Sequence, residues 1–198
     1  MGKTVEFYYD FVSSASYLAY KRLPAMLHDA GGQIKWRPML LGGVFKAVGN
    51  SGPNAIPAKS RWLFDDMKRI ADRHGLPFSL NPAFPLNTVM ALRGAIAAEK
   101  IDPGLVQPYM DVMFDAAWAS GQDLGKPEVV MDLMEKSDLP AQEIADMVQD
   151  QAIKDELRAN TEEAVARGAF GAPTFFVGDE MHWGQDRIDW VVEAVRNQ

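Results

Sequence analysis

The chain of 198 residues contains no cysteine and only three histidines. Without a thiol it can neither cycle a disulfide nor supply a cysteine nucleophile, so the sequence excludes a disulfide oxidoreductase. The histidines, His28, His74 and His182, are far apart and have no spacing typical of metal ligands, so we expect no metal site. The lack of cysteine also suits a reducing compartment.

A surplus of positive charge and a long hydrophobic run are missing as well. The sequence has 20 lysines and arginines against 27 acidic residues, a net charge of −7, which argues against a nucleic-acid partner. No apolar stretch approaches the length of a membrane span, and the start lacks the basic and apolar segments of a signal peptide. We therefore expect a cytoplasmic protein with no membrane partner.

The first forty residues carry the pattern of a β-α-β unit. Apolar and aromatic residues up to Tyr9 predict a strand over about residues 3–10, and a helical period follows the serine cluster over about 14–30. A second strand is predicted at about 33–40. The cluster Ser13-Ser14-Ala15-Ser16 therefore lies where a strand turns into a helix N-terminus, whose free N–H groups favour an anion.

The middle of the chain alternates between breaks and helical patterns. The segment 44–59 is rich in Gly, Pro and Asn and predicts one long loop, with Ser60 as the N-cap of the helix after it. Helical patterns then continue to about residue 167, at 87–100, 107–120, 127–135, 141–148 and 152–167.

The end of the chain predicts a β-hairpin and a last helix. Gly171-Ala172-Pro173 leads into a strand at 174–177, followed by a turn, a short strand at about 181–183 and a helix at about 186–196. The fold class is α/β. We expect a thioredoxin-like domain from residues 1–59 and 168–198, with an inserted α-helical domain from 60–167.

Together, the serine cluster, the helical insertion, the run Gly-Ala-Pro-Thr-Phe-Phe-Val and the segment Trp183-Gly-Gln-Asp-Arg187 resemble the 2-hydroxychromene-2-carboxylate isomerases. This family is related to kappa-class glutathione transferases in the DsbA-like branch of the thioredoxin fold. The resemblance implies glutathione as cofactor, a small aromatic carboxylate as substrate, a homodimer and a cis bond before Pro173. It also implies a catalytic serine, Ser13, that hydrogen-bonds the glutathione sulfur.

The resemblance assigns further glutathione contacts. They are Asn50 and Lys59 from the loop, Ala172 and Pro173 for the cysteinyl backbone, Gln185 and Asp186 for the γ-glutamyl end, and Trp183 and Gly184 as the wall beside it. The chain departs from the family pattern Ser-Pro-aromatic-Ser in the serine cluster, and has His182 where an aromatic residue is common. The first departure concerns the substrate wall, and the second concerns which substrate is used.

Simpler roles stay open for several of these residues. Ser13 can be only an N-cap, with Ser14 or Ser16 as alternatives, and Asp186 a first-turn acid of the last helix. Asn50 can be only a turn residue and Lys59 a solvated charge. Trp183, Phe175 and Phe176 are typical of a core. Finally, Trp62, Tyr109 and Trp118 suit either an aromatic substrate pocket or apolar packing.

Three functions compete. The resemblance favours a glutathione-dependent isomerase that interconverts 2-hydroxychromene-2-carboxylate and trans-o-hydroxybenzylidenepyruvate. A kappa-like glutathione transferase would use the same thiolate but consume glutathione. A non-catalytic thioredoxin-like binding module would bind glutathione and show neither activity.

Overall fold

A computed structural model describes residues 3–198. The strands are β1 (Lys3–Tyr9), β2 (Gly32–Pro38), β3 (Thr174–Val177) and β4 (Glu180–Trp183). The helices are α1 (Ser14–Asp29), α2 (Leu41–Val48), α3 (Pro57–Arg73), α4 (Val89–Ile101), α5 (Val106–Trp118), α6 (Pro127–Lys136), α7 (Ala141–Met147), α8 (Gln151–Ala166) and α9 (Ile188–Arg196). Short 3₁₀ turns cover Pro53–Ala55, Pro103–Leu105 and Gln185–Arg187.

The four strands form one mixed sheet in the order β2-β1-β3-β4. The β1 and β2 strands are parallel and joined through α1, while β3 is antiparallel to both β1 and β4. Helices α2 to α8 lie between β2 and β3 along the chain, so the predicted α/β class with a helical insertion is confirmed. The predicted boundary of the insertion at residues 60–167 stays a prediction.

Alternation along β1 divides its side chains between two apolar clusters, because successive strand residues point to opposite faces. Phe7 and Tyr9 join the larger cluster, in which the Tyr9 and Phe114 ring centroids are 5.7 Å apart. Tyr8 faces the other way and packs with Phe176 and Ala164. The larger core thus runs without a break from the sheet into the inserted helices.

An ion-pair network on β1 and β2 ties the end of α8 to the sheet. Glu6 Oε2 lies 2.9 Å from Arg37 Nη2, and Glu6 Oε1 lies 2.7 Å from Arg167 Nη1. Burial raises the pKa of Glu6, but the hydrogen bonds and charges of the two arginines outweigh burial and hold the pKa below its ordinary value of 4.5. Glu6 therefore stabilises the fold in its ionised form.

The prediction of one long loop over residues 44–59 was wrong. Most of this segment is helical, since α2 extends to Val48 and α3 begins at Pro57. Proline is tolerated in the first turn of a helix because the N–H it lacks would have no intrahelical acceptor there. Gly43 of α2 allows close packing, because a Cβ there would lie 3.2 Å from Thr161 Cγ2.

The prediction of Ser60 as an N-cap was also wrong. Ser60 lies one turn inside α3, and its hydroxyl donates to Asn54 Oδ1 at 3.0 Å. Ile56 precedes the helix instead and offers no side-chain cap. Over residues 3–198, no helix is both long and apolar enough to cross a bilayer, and no cluster of acidic and histidine side chains is arranged to hold a metal ion.

Candidate active site at the N-terminus of α1

Ser13 lies at the point where β1 ends and α1 begins. Its Oγ accepts a hydrogen bond from Ser16 N at 3.1 Å, so Ser13 itself is the N-cap, and Ser14 and Ser16 are not. The same hydroxyl donates to Ala172 O at 3.1 Å. Capping and contact with the Ala172 turn are therefore combined in one side chain. Ser13 is buried, with 7% of its surface exposed.

The first turn of α1 retains free donors. Within the described part of the chain, the backbone N–H groups of Ser14 and Ala15 have no acceptor, as expected for the first turn of a helix. These donors carry the positive end of the helix dipole. An anion placed beside Ser13 would therefore meet one hydroxyl and two unpaired N–H groups.

The carboxylate of Asp10 fixes the turn between β1 and α1 through hydrogen bonds. The carboxylate is fully buried and accepts from Val12 N at 3.1 Å, Leu41 N at 2.8 Å and Thr88 Oγ1 at 2.5 Å. Burial raises the pKa of Asp10 above 3.8, while these three donors oppose the rise. A single side chain thus connects the Ser13 turn, the start of α2 and the start of α4.

The Ala172-Pro173 peptide lies directly opposite Ser13 and is cis. Pro173 O accepts from Gly184 N at 3.0 Å, which brings the end of β4 beside the start of β3. The backbone N–H of Ala172 has no acceptor among residues 3–198, and Ala172 is partly exposed. Ala172 therefore offers an unpaired backbone edge next to the Ser13 hydroxyl.

Trp183 forms a wall at this edge, and its assignment to the core was wrong. Its side chain is 47% exposed and packs on Phe170 with 5.0 Å between ring centroids. A Cβ on Gly171 would lie only 2.7 Å from Trp183 Nε1, so glycine is needed for the indole to lie over the turn. By contrast, Phe175 and Phe176 are buried, as predicted.

Asn50 reaches the same wall from the end of α2. Its Nδ2 donates to Phe170 O at 3.1 Å, and its Oδ1 accepts from Gly52 N at 2.8 Å. The side chain therefore acts as a turn residue and also fixes the segment before Ala172. Lys59 differs, since it is exposed in the first turn of α3 and makes no hydrogen bond or ion pair with the described residues.

Gln185 and Asp186 follow β4 after Gly184, whose φ of +100° favours glycine. Gln185 is buried, and its Oε1 accepts from Arg22 Nη1 at 2.8 Å. Asp186 is exposed and pairs with Arg187 at 2.7 Å instead of capping α9. The two side chains are adjacent and place an amide and a carboxylate at one end of the turn.

Sequence reasoning missed three residues that shape this site. Asp10 follows an apolar run and Arg22 follows Lys21 on α1, and only tertiary contacts reveal the partners of Asp10 and Arg22. Phe170 directly precedes the Gly-Ala-Pro turn, and an aromatic residue at that position could have indicated a contact beside the turn. Of the aromatic residues considered for a substrate pocket, Tyr109 and Trp118 are fully buried and belong to the core, whereas Trp62 is 60% exposed.

Comparison with known proteins shows the family of the chain. The model of the DSBA-like thioredoxin domain matches residues 4–196. A 2-hydroxychromene-2-carboxylate isomerase from Pseudomonas sp. (strain C18) is 31% identical over 196 residues, covering 96% of this chain and 89% of the relative. Human glutathione S-transferase kappa 1 is 25% identical, covering 94% of this chain and 88% of the relative.

A solved structure of 2-hydroxychromene-2-carboxylate isomerase superimposes with a TM-score of 0.88 and 28% identity, over 98% of this chain and 95% of that one. Sequence and fold therefore agree over nearly the full length. The chain belongs to the DSBA-like thioredoxin family and, within it, to the family of 2-hydroxychromene-2-carboxylate isomerases.

Proposed function

We propose that the protein is a glutathione-dependent isomerase that interconverts 2-hydroxychromene-2-carboxylate and trans-o-hydroxybenzylidenepyruvate. The observation that carries the proposal is the 3.1 Å contact of Ser13 Oγ with Ala172 O at the N-terminus of α1. It brings a hydroxyl, free helix N–H groups and an unpaired backbone edge to one place. A chain without cysteine needs a thiol from outside, and glutathione supplies it.

Ser13 would hold the glutathione sulfur as a thiolate. A free thiol has a pKa of about 8.5, and a helix N-terminus with hydrogen-bond donors lowers it because both favour the negative charge. The Ser13 hydroxyl can rotate from Ala172 O to the sulfur without loss of its N-cap bond, since that bond uses an oxygen lone pair. The thiolate is then formed without a basic side chain.

The same rotation would free Ala172 for the peptide backbone of glutathione. Once the Ser13 hydroxyl turns away, Ala172 O can accept from the cysteinyl N–H, and Ala172 N can donate to the cysteinyl carbonyl. Such pairing is a short form of β-strand addition. Binding of the ligand and activation of its sulfur are coupled through one hydroxyl.

The remaining contacts follow from their positions around the turn. Lys59 would bind the glycine carboxylate, since it carries an unpaired charge in the first turn of α3. Asn50 keeps one Nδ2 hydrogen for the ligand beyond its contact with Phe170 O. Pro173, Trp183 and Gly184 would shape the wall, and Gln185 and Asp186 would bind the γ-glutamyl end.

The reaction would then proceed by addition and elimination. The thiolate adds to the benzylic carbon of the ring-opened cis substrate, and the electron pair of the double bond moves to the ketone oxygen to give an enolate. The former double bond is now single and rotates. The enolate collapses to the ketone, re-forms the double bond in the trans geometry and expels the thiolate, so glutathione is regenerated.

A direct test is an ultraviolet assay on 2-hydroxychromene-2-carboxylate with and without glutathione. The expected result is conversion that requires glutathione and leaves its concentration unchanged. Conversion at the same rate without glutathione would refute the proposed cofactor. No conversion with glutathione present would refute the proposed substrate, 2-hydroxychromene-2-carboxylate.

A kappa-like glutathione transferase is the second candidate, because the chain is also related to a protein of that name. The same thiolate would attack an electrophile that cannot expel it. The two functions differ in stoichiometry, since a transferase consumes one glutathione per product. A binding module would bind glutathione and leave both assays without signal.

The assembly and location also belong to the proposal. A homodimer in the cytoplasm, free of membrane and nucleic-acid partners, fits the family resemblance and the acidic charge. Size-exclusion chromatography with light scattering tests the dimer. Fractionation of the source cells tests the location.

A further inference from the structure

Arg22 on α1 forms its hydrogen bonds with an uncharged residue. Its Nη1 donates to Gln185 Oε1 at 2.8 Å and to Gln185 O at 3.4 Å, so both hydrogen bonds go to a neutral residue. By contrast, the partly buried Arg37 and Arg167 both pair with a carboxylate, that of Glu6. Over residues 3–198, no carboxylate lies within ion-pair distance of Arg22, and Asp189 acts on its charge only from a longer distance.

This contact fixes which way the Gln185 amide points. A guanidinium has only donors, so it must face the oxygen of the amide and never the nitrogen. Gln185 is itself 94% buried, with 6% of its surface exposed, and Arg22 is the side chain that holds its amide oxygen. Its Nε2 makes no hydrogen bond with the described residues and is not among their fully buried atoms.

The fixed amide gives the turn two chemically distinct ends. Gln185 Nε2 presents donors, and the nearby charge of Arg22 adds an attraction for anions. Asp186 beside it presents a carboxylate whose Oδ1 has no donor in the described part of the chain, although Oδ2 is paired with Arg187. Such a pair matches a carboxylate next to an ammonium group, as on the α-carbon of an amino acid.

We propose that Arg22 is a positioning residue that orients the Gln185 amide to select the α-carboxylate of the γ-glutamyl group. Arg22 acts through Gln185 and contacts no ligand. The inference rests on the proposed binding of glutathione. It adds the side chain, Arg22, that makes the site select the γ-glutamyl α-carboxylate. Without Arg22 the amide could rotate by half a turn and accept a neutral amide as readily as it binds a carboxylate.

The test compares two ligands by calorimetry. One is glutathione, and the other is glutathione whose γ-glutamyl α-carboxylate has been converted to a carboxamide. The wild-type protein should prefer glutathione by about tenfold or more, because a hydrogen bond to a charged group is lost in the analogue. In Arg22→Met the preference should fall to about twofold or less, and Arg22→Lys should restore part of it.

A purely structural role for Arg22 would weaken both ligands equally and leave their ratio unchanged, which would overturn the inference. Gln185→Leu provides the second readout. It should abolish the preference, and adding Arg22→Met to it should change the ratio no further, since contacting residues show such coupling. A further change in the ratio would mean that Arg22 acts elsewhere.

Controls separate this inference from the proposed function. Arg158→Met removes an exposed arginine that pairs with Asp155, and it should leave the ratio unchanged. If Arg22→Met does not fold, Arg22→Gln replaces it and should also lower the ratio, because glutamine can face either end of the amide. A wild-type protein that binds no glutathione refutes the proposed function itself, whereas a ratio unaffected by Arg22 refutes only this inference.

Discussion

Replacement of Ser13 by alanine separates two roles that the structure combines in one hydroxyl. In the free protein the hydroxyl caps α1 through Ser16 N, and in the proposed complex it donates to the glutathione sulfur. Loss of the cap should cost about 1 kcal/mol of the free energy of unfolding. Loss of a hydrogen bond to a charged sulfur should cost roughly 1.5–3 kcal/mol in the complex with thiolate.

The second effect appears in the rate. A loss of this size corresponds to turnover slower by about tenfold to a hundredfold at neutral pH. The pKa of bound glutathione should rise, because the thiolate loses its donor, and a higher pH should restore part of the rate. Glutathione affinity should change little, since Ala172, Lys59 and Gln185 provide other contacts.

The measurement is turnover against pH, thiolate absorbance of the bound ligand and thermal unfolding, all on one preparation. Asp102→Ala is the matched control. Asp102 Oδ1 caps a 3₁₀ turn by accepting a 2.8 Å hydrogen bond from Gly104 N, and Asp102 makes none of the contacts described for the site. It should lose stability of the same order with normal turnover. A Ser13→Ala protein with wild-type turnover at neutral pH would refute the catalytic assignment.

Three other changes test separate parts of the argument. Above pH 4.5 the wild-type protein should have a larger free energy of unfolding than Glu6→Gln, and this difference should vanish as the pH falls through the lowered pKa of Glu6 in the folded state. Urea unfolding at a series of pH values measures the difference. A difference independent of pH would contradict the ion-pair account. Lys59→Ala should weaken glutathione binding by about twofold to fivefold, and more so at low salt, because a solvent-exposed charge pair is lost. Its control, Lys68→Ala, removes an exposed lysine on the same helix and should bind normally. Gly171→Ala should displace the Trp183 indole, changing tryptophan fluorescence and lowering affinity while stability changes little, since the indole is half exposed; unchanged fluorescence and affinity would show that Trp183 is not part of the wall.

Much of the fold followed from local patterns. The β-α-β start, the glycine-proline turn before β3 and the last helix lie within a few residues of their predicted positions, because apolar periodicity and turn residues act locally. The prediction of a long loop over 44–59 was wrong because the Gly, Pro and Asn content of a segment does not show its tertiary contacts. Gly42 and Gly43 are poor helix formers, yet α2 forms there since Asp10 accepts from Leu41 N and α8 packs closely against it.

For the site, the sequence determined the absence of a thiol and the presence of a serine at the start of α1, since both are properties of residue type and order. Sequence and resemblance together pointed to the Ala172-Pro173 turn and to the pair Gln185 and Asp186 as ligand contacts, and these roles stay predictions. Only the tertiary structure decided that Ser13 both caps α1 and reaches Ala172, a residue 159 positions away. It also decided that Trp183 forms a wall and that Arg22 sets the direction of the Gln185 amide. Those contacts join segments distant in the chain, and no local pattern encodes which partner a buried polar group finds.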